Sequence, residues 1–218
     1  MGEILNGFGT DWDEAEAYSG SSKPEKLPTG GYVLKIVGCK ITKASGYPKM
    51  VFAFDIIEGE HAGYFAKRLE YDRKFNPEAK TKGVYDFFLP SKGNGTEEDM
   101  KKYKWSLATL KGAVTAINES NPYAPPININ NTIDINVFVG KIVGGIFGDV
   151  EWQMDGRSGM TAKCRRFTSV EKIRKGDFTI PDPKYRTQSP PPSSTTPPMS
   201  GTLDDLIPIG IPDGDLPF

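Results

Sequence analysis

Catalytic and metal-binding parts are scarce in this chain of 218 residues, which has one histidine and two cysteines. His61 falls in a Gly-flanked turn with no serine or cysteine constellation around it, which excludes the usual nucleophile–base arrangements. Cys39 and Cys164 are too few for a disulfide framework or a thiolate zinc site and read as two separate buried thiols. No glycine-rich phosphate loop is present; Gly140-Lys141-Ile142-Val143-Gly144-Gly145 falls inside an expected strand, where it marks a bend or bulge. Glu70 and Asp72 alternate along one stretch, but Arg68 and Lys74 share their face, as in a solvated charged surface. No apolar run reaches membrane-spanning length. The opening Met1-Gly2-Glu3-Ile4-Leu5-Asn6 lacks the basic and apolar regions of a signal peptide and the hydroxyl residue of a myristoylation site. The expectation is a cytoplasmic, non-enzymatic protein with no cofactor, no metal and no membrane partner.

Apolar residues are also few, at 37%, and the ends account for part of the deficit. Charge is unevenly spread. Residues 1–20 carry five acids and no Lys or Arg, and residues 187–218 carry four acids and no Lys or Arg. The middle therefore holds all 27 basic residues against the other 19 of the 28 acids, a surplus of eight positive charges. A basic body between acidic ends suggests a surface for a polyanion, with tails able to compete for it.

Along the chain, residues 1–29 read as a flexible acidic arm ending in the turn signal Leu27-Pro28-Thr29-Gly30-Gly31. A strand is expected over Tyr32–Ile41, then a turn at Ser45-Gly46-Tyr47-Pro48. A second strand, Lys49–Ile57, places Met50, Phe52, Phe54 and Ile56 on one face, and a third is expected over Tyr64–Lys74 after a hairpin turn at Glu58–Gly63. An insertion loop spans residues 75–95. Met100, Tyr103, Leu107, Leu110, Val114 and Ile117 then define one helical face, opened by a capping box from Thr96 to Asp99 and stopped at Asn121-Pro122. Two more strands follow, Thr132–Ile146 and Thr161–Ile173, around a hairpin loop from Gly148 to Gly159. Three strands, a helix and two strands is the order of a mainly β, five-stranded oligonucleotide-binding (OB) barrel, placed here at residues 30–180.

Binding single-stranded nucleic acid needs only a basic groove and exposed aromatics: phosphates give salt-dependent affinity, and stacking is worth roughly 1–3 kcal/mol per base. The expected third strand supplies both. Tyr64, Arg68 and Lys74 lie on one face of it and Lys67, Tyr71 and Arg73 on the other, and Phe75 follows. Lys43, Tyr47 and Lys49 flank the first turn, Trp152 falls in the last hairpin loop, and Lys163, Arg165 and Arg166 complete the basic set. Trp105, between the apolar ridge positions of the helix, is given no role.

The end of the chain has a different character. Ser189-Pro190-Pro191-Pro192-Ser193-Ser194-Thr195-Thr196-Pro197-Pro198 cannot build a core, so residues 181–202 read as a disordered linker. Residues 203–218 interleave Leu203, Leu206, Ile207, Ile209, Ile211 and Leu216 with aspartates and end in Phe218, offering a ring and a carboxylate to a partner's pocket. Asp213, Asp215, Leu216, Pro217 and Phe218 resemble, residue by residue, the C-terminal tip of bacterial and bacteriophage single-stranded DNA-binding proteins, although Gly214 interrupts the acidic run. The body is similar to the divergent versions of phages and mobile elements in architecture alone. The resemblance implies a protein that coats single-stranded DNA in replication, recombination and repair, in a bacterial or phage-infected cytoplasm, and recruits partner proteins through its tip. Homo-oligomerisation stays open. Two rival readings also stay open: a structural or assembly protein that uses its barrel for protein contacts, and a recombination protein that anneals or cleaves strands.

Overall fold

A computed structural model of the chain describes residues 9, 10, 13, 25–130, 132–154 and 157–186. Its elements are β1 (Gly30–Ala44), β2 (Tyr47–Ile56), α1 (Tyr64–Phe75), β3 (Val84–Phe88), α2 (Glu97–Ser120), a 3-10 helix (Ile135–Phe138), β4 (Ile142–Met154), β5 (Arg157–Thr168) and α3 (Val170–Lys175). The strands form one antiparallel sheet in the order β3-β2-β1-β4-β5. Ser45 and Gly46 both have positive φ, 49° and 82°, the two-residue turn geometry that matches the twist of a hairpin.

The expected alternation in the second strand holds, since Met50, Phe52, Phe54 and Ile56 are all buried. They face a core of Leu34, Ile36, Phe138, Val143 and Phe147, capped by Leu110, Val114 and Ile117 of α2. The sheet curls enough for Phe52 to meet Phe138 at 5.3 Å and Phe167 at 5.5 Å between ring centroids. At its two edges, Tyr85 of β3 and Phe167 of β5 touch at 4.6 Å. No hydrogen-bonded ladder joins these edges, so the sheet is not the closed barrel expected.

A second, smaller apolar layer lies on the outside. Val33, Ile146 and Val170 are buried but stand apart from the main core. They are covered by α3 and by Phe178 just beyond it. Gly31 and Gly144 make room for this cover: a Cβ on Gly31 would lie 2.6 Å from the Phe178 ring, and one on Gly144 2.5 Å from Ile173.

The helix α2 starts with the capping box between Thr96 and Asp99, as expected, a feature worth about 1 kcal/mol. Met100, Tyr103, Leu110, Val114 and Ile117 turn inward at least in part, whereas Leu107 of the expected ridge is exposed. Two side-chain amides tie the end of α2 to later chain. Asn118 donates to the Ile127 carbonyl at 3.0 Å and accepts from its N–H at 2.9 Å. Asn121 does the same with Ile142, at 2.8 and 3.2 Å.

Several expectations fail. Tyr64–Lys74 is helical rather than a strand, and the third strand is instead Val84–Phe88, inside the stretch expected to be an insertion loop. The expected strand from Thr132 is an irregular segment and a 3-10 turn until Ile142, because Asp134 accepts from the Asn136 N–H and Gly140 turns the chain at φ 84°. The last hairpin is tighter than expected. Its strands run to Met154 and restart at Arg157, and Thr168 ends β5 before α3. Residues 25–29, at the end of the expected arm, are held in place: Leu27 is buried, and Tyr64 Oη donates to the Glu25 carbonyl at 2.8 Å.

Candidate nucleic-acid interface

Register fixes which side chains share the open face of β1, β2 and β3. Lys40 pairs with Val51 and Thr42 with Lys49, and across β2, Val51 pairs with Asp86 and Lys49 with Phe88. Neighbouring pairs alternate faces, and the intervening Met50 and Phe52 point into the core. Tyr47, opposite Ala44 at the turn, is on the same side as Lys49 and is 51% exposed. Lys43 is exposed opposite Pro48.

Of the three residues expected around this turn, Lys43 and Tyr47 are therefore open to a ligand. Lys49 is already engaged: its ammonium pairs with the Asp86 carboxylate and sits 5.6 Å from the centre of the Phe88 ring. Lys35, Lys40 and Lys43 have no ion-pair partner among the described residues.

The residues expected on a third strand are carried by α1, which changes which of them meet. Tyr64 is structural, since its hydroxyl holds the Glu25 carbonyl and accepts from the Leu27 N–H at 3.2 Å. Arg68 pairs with Asp72 at 3.1 Å, and Lys82 reaches the same carboxylate at 2.9 Å. Partial burial alone would raise the Asp72 carboxyl, but hydrogen bonds and charge from Lys82 and Arg68 outweigh it and hold it below the usual range. Arg73 donates to the Ala79 carbonyl at 3.4 Å. The helical period instead aligns Lys67, Tyr71, Lys74 and Phe75 in one stripe. The Tyr71 and Phe75 rings lie 5.2 Å apart, and Phe75 is 67% exposed.

The third group lies on the β4–β5 hairpin. Trp152 is on β4 rather than in a loop, lying over Gly159 and 38% exposed. Lys163 is exposed opposite Gly148. Arg165 sits at a bulge between the Ile146–Arg166 and Phe147–Cys164 pairs. It donates to the Asp182 carbonyl at 3.4 Å, and Arg166 donates to the Thr179 carbonyl at 3.2 Å. These two arginines thus hold the chain's own segment beyond α3.

Four candidates escaped sequence reasoning. Lys40 belongs to a strand face whose alternation was there to read, whereas Phe88 falls in the stretch expected to be a loop. Trp105, 62% exposed, and Tyr185, 66% exposed, carried no pattern of their own. Asp213, Asp215, Leu216, Pro217 and Phe218 lie outside the described residues.

Other chemistry can be placed as well. Burial pushes the Cys39 thiol up to about 11 and raises Cys164 further, so neither thiol ionises near neutrality. His61 sits between the Tyr32 and Tyr64 rings, with Glu60 at 3.1 Å. Among the described residues no group of three or more His, Cys, Asp or Glu could hold a metal ion, and no helix is long and apolar enough to cross a membrane. Compared with known proteins, the chain matches no family model and no curated protein.

Proposed function

We propose that this is a non-catalytic single-stranded DNA-binding protein whose curled sheet is of the OB type. The strand order, the helix between the third and fourth strands, and the meeting of Tyr85 with Phe167 at the sheet edges support that fold reading. The observation that carries the function is the face of β1, β2 and β3 that no described residue is seen to cover, which joins Tyr47 and Phe88 to Lys40 and Lys49, with Lys43 exposed on the other side of the same turn. Aromatic faces stack with any base, and the Lys40 ammonium, which has no ion-pair partner among the described residues, can donate to a phosphate, so the face suits a strand read without regard to sequence. The Lys67–Tyr71–Lys74–Phe75 stripe on α1 offers the same chemistry.

Residues 203–218 are the proposed docking segment for replication, recombination and repair proteins, on the strength of aspartates interleaved with Leu and Ile. Their charge also competes with DNA for the basic face.

The deciding experiment titrates a labelled single-stranded oligonucleotide, with duplex and RNA competitors, while following tryptophan fluorescence at several salt concentrations. Salt-sensitive binding that prefers single strands is expected. No response would favour an assembly role, and magnesium-dependent cleavage or strand annealing would point to a recombination enzyme. Deleting residues 203–218 should leave DNA binding equal or tighter while partner capture is lost; a large drop in DNA affinity would reject the docking role.

A further inference from the structure

Beyond α3 the chain does not leave the body at once. Asp177 N–H donates to the Lys172 carbonyl at 2.9 Å, Phe178 packs over Gly31, and Pro181 crosses Gly148. Lys184 then pairs in parallel with Val150 on the free edge of β4. Its N–H donates to the Asp149 carbonyl at 2.9 Å, and its carbonyl accepts from the Glu151 N–H at 2.8 Å. The Arg186 N–H donates to Glu151 Oε2 at 2.9 Å. Residues 177–186 are a strap laid along the hairpin.

We infer that this strap is a second nucleic-acid contact surface, in which Lys184, Tyr185 and Arg186 extend the footprint of a long single strand beyond the β1–β2–β3 face. The inference rests on the reading of the protein as a single-stranded DNA-binding protein. Three observations carry it. First, cation, exposed aromatic and cation follow one another on a backbone already ordered by hydrogen bonds, so binding need not repeat that ordering cost. Second, the period of two puts Gly148, Val150 and Trp152 on one face of β4. Lys163, opposite Gly148, and Lys184, opposite Val150, share that face with Trp152. Third, both acids of β4 are already engaged, Asp149 with Lys26 at 3.3 Å and Glu151 with the Arg186 N–H. Arg165 and Arg166, by contrast, hold only neutral carbonyl oxygens of the strap. A phosphate oxygen makes a hydrogen bond roughly twice as strong as a neutral acceptor does, so both guanidinium groups can turn to a phosphate that reaches them.

The test uses the full chain and single strands of two lengths. In the double variant Lys184→Gln/Arg186→Gln, affinity for about 8 nucleotides, within the reach of one OB site, should match wild type. Affinity for about 30 nucleotides should fall about tenfold, and the slope of log K against log salt should shrink by about 1.4, for two lost phosphate contacts. Tyr185→Ala should weaken only the long strand and leave the salt slope unchanged. Amide exchange at Glu151 and Lys184 reports whether the strap stays in place; if it detaches in the double variant, Tyr185→Ala decides. Unchanged binding of long strands, or equal losses at both lengths, overturns the strap surface while the DNA-binding reading stands. A wild-type chain that binds neither length overturns both.

Discussion

Over β4 and the first half of β1, the outward face of the sheet is closed by the chain itself, whereas no described residue is seen to cover it over β2, β3 and the second half of β1. The closed side carries glycines where Phe178 and Ile173 approach, and its arginines bond to carbonyls of the strap. On the other side, Lys40, without an ion-pair partner among the described residues, shares its face with the exposed ring of Tyr47. The contrast separates cations bonded to the chain itself from cations without such a partner among the described residues, a distinction that counting charges in a sequence cannot make.

Mutations can break that contrast in order of effect. Phe52→Ala removes a ring shared by both halves, in contact with Phe87, Phe138 and Phe167. It should cost about 3–5 kcal/mol in urea unfolding and abolish both faces together. Gly144→Val forces a side chain against Ile173 and the Ser169 carbonyl. It should cost about 1–3 kcal/mol, read as a lower Tm, with short-oligonucleotide affinity unchanged.

Tyr47→Ala should behave in the opposite way. Stability stays within about 0.5 kcal/mol, as for exposed positions generally, while binding of a short single strand weakens by about 1–3 kcal/mol through one lost stack. Asp86→Asn is the mildest change. It releases Lys49 from its ion pair, so binding should tighten and the salt slope should steepen by about 0.7. If Gly144→Val weakened short-strand binding as much as Tyr47→Ala does, the division between the two faces would be wrong.

Much of the fold could be read in advance where packing and local pattern agreed. The period of two in β2 and the capping box of α2 each had one physical cause and one outcome. The helix α1 was misread because tertiary packing buries only Phe65 within it. With no apolar stripe to announce a helix, its alternating aromatics and cations imitated a strand. The run Ala66-Lys67-Arg68-Leu69-Glu70 consists of strong helix formers and was the signal available. β3 was hidden by its brevity, five residues in which only Tyr85 and Phe87 are buried. The site divided in the same way. Lys43 and Tyr47 flank a local turn and were legible, whereas the engagement of Lys49 by Asp86, and of Arg165 and Arg166 by the strap, depends on partners distant in sequence.

The paired bonds from Asn118 and Asn121 bear on how this protein can be altered. Each amide stands in for one rung of a ladder, so the stretch between α2 and β4 is pinned at Ile127 and again at Ile142. Closure entropy grows only with the logarithm of loop length, each doubling costing about 0.6 kcal/mol. The starting point of β4 is therefore set by the helix and not by the length of chain that leads to it. A foreign peptide spliced into the exposed residues 128–130, between the post at Ile127 and the buried Phe138, would hang clear of the core, making that part of the crossover a natural port for tags or whole inserted domains.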